Sequence, residues 1–530
     1  MKAIKYMAVA GMAALAASCS DFLEEYSQSS YYAESWEDLD ELLVGSGYVQ
    51  PEVCGLMSTH PNFGSFMHYL ADELEENNIS EDKTYVMGKP YTFGYFTWQQ
   101  RAGQNQDYTD YYEDNTEWAK AYHGINLANN ILAALPSMPR STDEEIRGCG
   151  KVSGETHFLR AYFYFWLVNM YGQPYNAATA STDLGVPVKT TENVEDRKFM
   201  RNTVQEAYDL IVSDLQAARE GFRTYDTEKR SIYRADSTAA NLLLSRVYLY
   251  MGRWQDCMDA ADRVLDAHPA LMQLNGNSSP FAVSTNVENI FSMGGSDLPV
   301  QMQYAYQSYR VNTALYNLYG SDDLRRSQWF WHRGYFTGLT KVEQYNVTET
   351  DHYDPSELDY YYELYVHGWG GRMTSVSSVF LLRSAEAYLN KAEAAAYLGR
   401  EAEAREALNH LRAYRYRTGT AEVTASGEEL VKEIRTERRK EFVLEGQRWF
   451  DLRRYRVCPV CPERVSLTHD YTFYVSDQSI EKVRSRRYVL EAEDPSWTMP
   501  IPYSVLEFNT GMPSNGNPVR MGVEIPVLEN

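Results

Sequence analysis

The sequence predicts a mostly α-helical protein, a stack of paired helices that carries a long, irregular, aromatic-rich part. Three observations predict it. Apolar residues recur at steps of three and four in several stretches. Two stretches look alike, each a helix, a Gly-Arg turn and a second helix. One is Val247-Tyr248-Leu249-Tyr250-Met251-Gly252-Arg253-Trp254 leading to Cys257, Ala260, Ala261 and Leu265; the other is Ala394-Ala395-Ala396-Tyr397-Leu398-Gly399-Arg400-Glu401 leading to Ala404, Ala407, Leu408 and Leu411. Between them, from His268 to Thr374, the helical period fades and Gly, Asn, Ser and aromatic residues take over.

Taken in order, Trp118, Tyr122, Ile125, Asn129, Leu132 and Leu135 share one helix face, and Pro136 stops that helix. Glu155 to Tyr171 reads as a second helix, closed by Gly172 and Pro174. Its aromatics (Phe158, Tyr162, Phe163, Phe165, Trp166) lie nearly all round, which predicts deep burial. Thr203-Val204-Gln205-Glu206 is a capping box that opens a helix with the face Val204, Ile211, Leu215 and Ala218. The two similar stretches have the arrangement of tetratricopeptide-type helical hairpins. Small residues at their crossings let paired helices approach closely, and stacked pairs bury faces that one pair alone leaves open. No Pro/Ser/Gly linker divides the chain, so one large globule or two closely packed lobes is expected.

The N-terminus has a basic start (Lys2, Lys5), an apolar run from Tyr6 to Ala17, and the small residues Ala16-Ala17-Ser18 before Cys19. These are the parts of a secretory signal, and the run is shorter than the roughly 20 residues that span a bilayer. With cysteine directly after the small residues, the segment resembles the lipobox of bacterial lipoproteins, although Ala16 stands where leucine is commoner. That resemblance implies a diacylated Cys19 as the mature N-terminus. The following Ser20-Asp21-Phe22-Leu23-Glu24-Glu25 resembles the surface-export signal of Bacteroidetes lipoproteins. A formal charge of −23 repels phosphate backbones and anionic bilayers, which excludes nucleic acid as a partner and leaves membrane attachment to the lipid. Two acyl chains are enough for stable anchoring.

Besides Cys19 there are Cys54, Cys149, Cys257, Cys458 and Cys461, too odd and sparse a set for a disulfide framework. Cys458-Pro459-Val460-Cys461 has no second ligand pair for zinc, so a local disulfide or two idle thiols is expected. Asp351, Asp354 and Glu357 offer oxygens to calcium, but the EF-hand spacing is absent and a solvated acidic loop is the simpler reading. No cofactor is therefore expected.

Catalysis has little support in the sequence. Glu437, Glu441 and Glu445 share one helix face and alternate with Arg438, Arg439 and Arg448, which predicts an ion-pair network holding the helix to its neighbours. A glycosidase needs two carboxyls at a set separation across a sugar site, and nothing singles out such a pair. No P-loop, nucleophile elbow or His-Glu-x-x-His motif is present.

The aromatic residues are more informative. There are 43 tyrosines and 10 tryptophans, and tyrosine is over-used at binding surfaces. Many fall in the irregular part: Tyr304, Tyr306, Tyr309, Trp329, Phe330, Trp331, Tyr335, Phe336, Tyr360-Tyr361-Tyr362, Tyr365 and Trp369. A second patch, Tyr91, Phe93, Tyr95, Phe96 and Trp98, precedes the first long helix. The apolar faces of a pyranose lie flat on such rings while polar side chains bind its hydroxyls. Trp98, Trp329, Trp331 and Trp369 are thus the candidate platforms for a neutral oligosaccharide, with Arg101, Asn105 and Arg333 as candidate polar contacts. For any one tryptophan, packing in the core is the equal alternative.

Several segments together resemble the SusD/RagB family of Bacteroidetes outer-membrane nutrient-binding lipoproteins. They are Cys19-Ser20-Asp21-Phe22-Leu23, Trp118 to Asn129, Arg160 to Gly172, Glu437 to Arg454, and the tail Met499-Pro500-Ile501-Pro502 with Asn509 and Asn515-Gly516-Asn517-Pro518. The resemblance implies a stack of tetratricopeptide-like helix pairs with a less regular ligand-binding part. It also implies a role as the hinged lid of a SusC-like TonB-dependent transporter, capturing glycans or, in the RagB branch, peptides. The implied place is the outer membrane, lipid-anchored and facing the exterior. The division expected is a signal peptide at 1–18, an N-terminal part at 19–267, an aromatic loop-rich insertion at 268–378, and a C-terminal part at 379–530. Oligosaccharide capture without catalysis is the first reading; a peptide-binding protein and a surface glycosidase are the alternatives.

Overall fold

The computed structural model describes residues 33–50, 63–78, 89–193, 195–225, 231–277, 279–295, 308–342, 345–346, 372–419, 421–476, 479 and 481–528. Its longer helices are α1 (Trp36–Leu42), α2 (Lys89–Phe96), α3 (Thr116–Ala134), α4 (Asp143–Tyr171), α5 (Val204–Phe222), α6 (Ser237–Tyr250), α7 (Trp254–Ala267), α8 (Ser384–Tyr397), α9 (Glu401–Ala413), α10 (Gly427–Glu441) and α11 (Arg448–Arg456). From α3 to α9 each helix packs on the next, with α7 against α8 across the long insertion, so successive pairs stack as the sequence predicts.

The two Gly-Arg turns are built alike. Gly252 and Gly399 both have φ +73°, the left-handed conformation that favours glycine. Arg253 N donates to Tyr248 O at 2.9 Å, and Arg400 N to Ala395 O at 2.8 Å. A bond reaching back five residues past a left-handed glycine is a Schellman closure, and it satisfies carbonyls the ending helix leaves open. At the α6–α7–α8 crossing, Asn390 Nδ2 donates to Ser245 Oγ at 3.1 Å, beside the buried Cys257 thiol.

Helix α4 begins at Asp143, twelve residues before the start that hydrophobic periodicity predicts. Its opening signal is a capping box, Thr142 with Glu145, followed by a first turn of three acidic residues. Gly148, Gly150 and Gly154 dilute the apolar pattern there. Gly150 and Gly154 serve the crossing with α5, where a Cβ on Gly221 would lie 2.7 Å from Gly150 O, and Gly148 makes room for Trp36 of α1. The C-terminal tail straps the other end of α4. Met499 N donates to Met170 O at 2.9 Å, and Asn515 Nδ2 to Tyr171 O at 3.0 Å.

The irregular part holds short antiparallel pairs. Strand β1 (Leu74–Glu76) pairs with β3 (Tyr309–Val311), β2 (Asn289–Ser292) with β8 (Leu381–Arg383), β4 (Phe330–Arg333) with β5 (Phe336–Leu339), and β6 (Tyr345–Asn346) with β7 (Arg372–Met373). Near the C-terminus β9 (Leu467–Tyr474), β10 (Lys482–Leu490) and β11 (Val523–Ile525) form a sheet in the order β11-β10-β9. One hydrophobic core runs from Leu39 to Met512, through both the helices and the irregular part.

A buried ion-pair network fastens these two parts together. Glu441 on α10 accepts from Arg325 (2.8 Å), Arg383 (2.5 Å) and Arg415 (2.8 and 2.9 Å). Arg383 also reaches Glu288 and Glu445, each at 3.0 Å, and Arg415 reaches Glu288 at 2.6 Å. Arg325 pairs with Asp323 and Glu437, Lys440 with Asp323, and Lys341 with Glu445. Asp323, Arg325 and Lys341 come from the irregular part, and all of these side chains are at most 6% exposed. Five cations against five carboxylates leave the cluster neutral, the condition under which charge is tolerated in a core.

Candidate functional site

The structure separates the predicted site residues. Trp98 is 3% exposed. Its Nε1 donates to Leu70 O at 2.9 Å, and its indole stacks on His469 at 4.4 Å, with the backbone at φ +50°. A left-handed bulky residue persists only where its surroundings fix it; here packing and hydrogen bond do so. Trp329 is 1% exposed, 4.6 Å from Phe281, with the Lys341 ammonium 4.2 Å above its ring. Neither indole presents a face to solvent, so as stacking platforms both are corrected to core residues beside buried polar groups. Trp369 lies outside the described residues, as do Tyr304, Tyr306, the Tyr360–Tyr362 run, Tyr365, Asp351, Asp354, Glu357 and Cys19.

Trp331 and Arg333 are at the surface, on the β4–β5 hairpin. The hairpin turns at Gly334-Tyr335, with Gly334 at φ +56°, the position where a type II′ turn takes glycine. Phe336 points inward and supports the half-buried Trp331 ring, 5.0 Å away. Tyr335 at the tip is 68% exposed, and its carbonyl accepts from Arg310 Nη1 at 2.5 Å.

Arg101 and Asn105 belong to the loop between α2 and α3, where they differ in role. Asn105 is engaged within the loop: Oδ1 accepts from Thr109 N (3.0 Å) and Asp110 N (3.2 Å), and Nδ2 donates to Thr109 Oγ1 (3.1 Å). Arg101 lies between two rings, its guanidinium 3.5 Å from the centre of Tyr111 and 4.3 Å from that of Tyr503. Both tyrosines are exposed, Tyr111 at 46% and Tyr503 at 45%. Asp114, 3.8 Å from Arg101 Nε, is the nearest carboxylate, and burial holds its pKa above the ordinary value. Sequence reading missed these two rings. The Tyr111-Tyr112 doublet in a loop of Asp and Gly residues was a usable signal; Tyr503, nearly 400 residues away in the chain, carried none.

Gly94 fixes how the Arg101 loop sits on α2. A Cβ there would lie 2.0 Å from Ala102 O and 3.0 Å from Arg101 O. Gly94→Ala is therefore expected to lower stability by about 1–3 kcal/mol, the usual range for overpacking, although alanine is the better helix former. Thermal unfolding checks this, and unchanged stability would contradict the placement of the loop.

Glu437 and Glu441 are fully engaged in the buried network; Glu445, expected on the same helix face, lies instead in the turn after α10, 6% exposed beside Arg383 and Lys341, so the three offer no open carboxyl pair. Cys149, Cys257, Cys458 and Cys461 are free thiols. Among the described residues no group of His, Cys, Asp and Glu is arranged to hold a metal, and no helix is long and apolar enough to cross a membrane. A cavity of about 620 Å³ lies between residues 45–50 and α3, lined by Tyr48, Gln50, Lys120, His123 and Phe163 among others. None of the predicted site residues lines it.

A stacked-helix scaffold, an irregular part pinned to it by buried charge, and exposed rings on loops together form a helical fold with a candidate binding surface. Comparison with known proteins agrees. The SusD family model matches residues 274–518, and a second model, described as starch-binding associating with outer membrane, matches residues 59–249. A SusD-like protein of Bacteroides ovatus is 21% identical over 484 residues, 84% of this chain and 82% of the relative. Among solved structures, a SusD superfamily protein from Bacteroides thetaiotaomicron superposes with a TM-score of 0.66 at 20% identity, covering 91% of this chain and 99% of the other. A putative sugar binding protein from Bacteroides vulgatus gives 0.65 at 20% identity, covering 92% and 99%. The chain belongs to the SusD-like family, a family of binding proteins and not of enzymes.

Proposed function

We propose that this protein captures an oligosaccharide at the cell surface without cleaving it. It passes the ligand to a SusC-like TonB-dependent transporter and is held at the outer membrane by a lipidated Cys19. The observation that carries the reading is the set of surface rings, Tyr111, Tyr503, Trp331 and Tyr335, presented by loops on a rigid helical core. Aromatic platforms with polar neighbours suit sugar rings, whose faces are apolar and whose edges are hydroxylated. The starch-binding description of the matched family model and the sugar-binding title of the B. vulgatus neighbour point the same way. The neutralised Glu437, Glu441 and Glu445 carboxylates support binding without hydrolysis.

Trp331→Ala, Tyr111→Ala and Tyr503→Ala test the site. Truncating an anchor ring at a binding surface removes more than about 1 kcal/mol, so at least one variant is expected to bind the glycan about tenfold more weakly with unchanged circular dichroism. Wild-type affinity in all three would place the site elsewhere.

A further inference from the structure

The Arg101 guanidinium has only a distant ion-pair partner, Asp114 at 3.8 Å, and no hydrogen bond at Nε. Arginines at protein surfaces ordinarily pair with a carboxylate or a carbonyl through their fork of N–H groups. Here the two tyrosine rings hold the guanidinium plane fixed, and Nε is shielded from water without a hydrogen bond. Asp114 stays at 3.8 Å, beyond hydrogen-bond reach, with the backbone N–H groups of Gly103 and Tyr503 beside its carboxylate. The side chain is 25% exposed, which leaves part of it within reach of a ligand. A second unused group lies on the same loop. Asn115 precedes α3 but does not cap it; its Nδ2 donates to Ser504 Oγ at 3.2 Å, and its Oδ1 is buried without a partner.

We infer that Arg101, framed by Tyr111 and Tyr503, is a subsite for a sugar carboxylate, and that the captured oligosaccharide carries uronate residues. This rests on the glycan-capture reading above and narrows its substrate class. A planar guanidinium fork matches a planar carboxylate, donating to it through two parallel N–H···O bonds. The outer faces of the flanking tyrosines take the faces of the same or the adjoining sugar. The rest of the surface limits the ligand's charge. With a net charge of −23, the chain repels a densely charged polyanion at long range. The fitting ligand therefore has scattered uronates among neutral sugars, and the carboxylate is recognised at contact distance.

The test uses the soluble protein from Ser20 onward and titration calorimetry. The probes are glucuronate-bearing xylo-oligosaccharides, hyaluronan oligosaccharides and oligogalacturonates, each beside its carboxyl-reduced counterpart and beside an acidic peptide of similar length. A charge-assisted hydrogen-bond pair discriminates by about tenfold or more, so one acidic oligosaccharide should bind at least that much more tightly than its reduced form. Arg101→Gln should abolish the difference, bringing the acidic form down to about the affinity of its reduced counterpart. Arg101→Lys, which keeps the charge and loses the fork, should retain only part of it. Equal binding of acidic and reduced forms, or a preference that survives Arg101→Gln, would overturn the subsite and leave glycan capture standing. Binding of neither form would overturn the subsite and leave glycan capture standing, whereas binding of the peptide alone would overturn both.

Discussion

Glu441→Ala is expected to destabilise the protein by about 3–5 kcal/mol, the range for removing one partner from a buried ion pair. Burial alone would raise the pKa of this carboxyl. Arg415, Arg383 and Arg325 instead hold it well below the ordinary range, so it is ionised at every physiological pH. Removing it strands three guanidiniums, each at most 1% exposed, with Asp323, Glu288, Glu437 and Glu445 left to share them. Glu441→Gln keeps an acceptor oxygen and should lose less. Because Arg325 belongs to the irregular part and Arg383, Arg415 and Glu441 to the helical part, the loss falls on the joint between them. The midpoint of urea unfolding measures it. A shift in Glu441→Ala no larger than that of a surface substitution would show that the network does not hold the two parts together.

The second large effect concerns Glu73. This carboxyl is 1% exposed, and its Oε1 accepts from Leu444 N at 2.7 Å. Burial pushes its pKa from 4.5 up to about 7; the neighbouring Asp72 carboxylate adds to the rise, and the Leu444 N–H, Arg448 and Arg439 oppose it. The folded state thus binds the Glu73 proton more tightly than the unfolded chain. The stability that this contributes is fully present below pH 4.5 and is lost as pH rises through 7. Glu73→Gln does not titrate and keeps the acceptor for Leu444 N. The stability of Glu73→Gln relative to wild type should therefore rise by about 3 kcal/mol between pH 4 and pH 8. Groups that titrate in both proteins cancel in this difference, including His469, which burial lowers to about 4. A difference that stays flat across that range would contradict the assignment.

The helical stack was legible because each of its signals is local. The Gly-Arg turns, the Thr203 capping box and the Pro136 stop act within five residues, where one sequence carries all the information. The start of α4 was missed because its glycines, placed for contact with α1 and α5, dilute the apolar period that normally reveals a helix. The β9–β10–β11 sheet gave no comparable signal. β10 carries Lys482, Arg484, Arg486 and Arg487, which spoil simple alternation, and it is held by pairing to strands on both sides.

The site was legible in residue type more than in address. Aromatic loops were expected, but a tryptophan's side chain points to solvent or core according to partners far along the chain. His469 draws Trp98 inward, and Phe281 and Lys341 do the same for Trp329. Tyr503 is brought to Arg101 only by the tail folding back over α4. Glu437, Glu441 and Glu445 were read correctly as structural, but their partners were not legible: they pair with Arg325, Lys341, Arg383 and Arg415, while Arg438 pairs with Asp451 and Arg439 and Arg448 with Asp72.

The central claim is capture of a glycan without chemistry. The most direct measurement is binding of the soluble protein to a panel of host, plant and microbial glycans, with reducing ends assayed in the same wells. Saturable binding to one glycan class with no new reducing ends is the result predicted. New reducing ends, or silence across every glycan with binding to peptides instead, would contradict it.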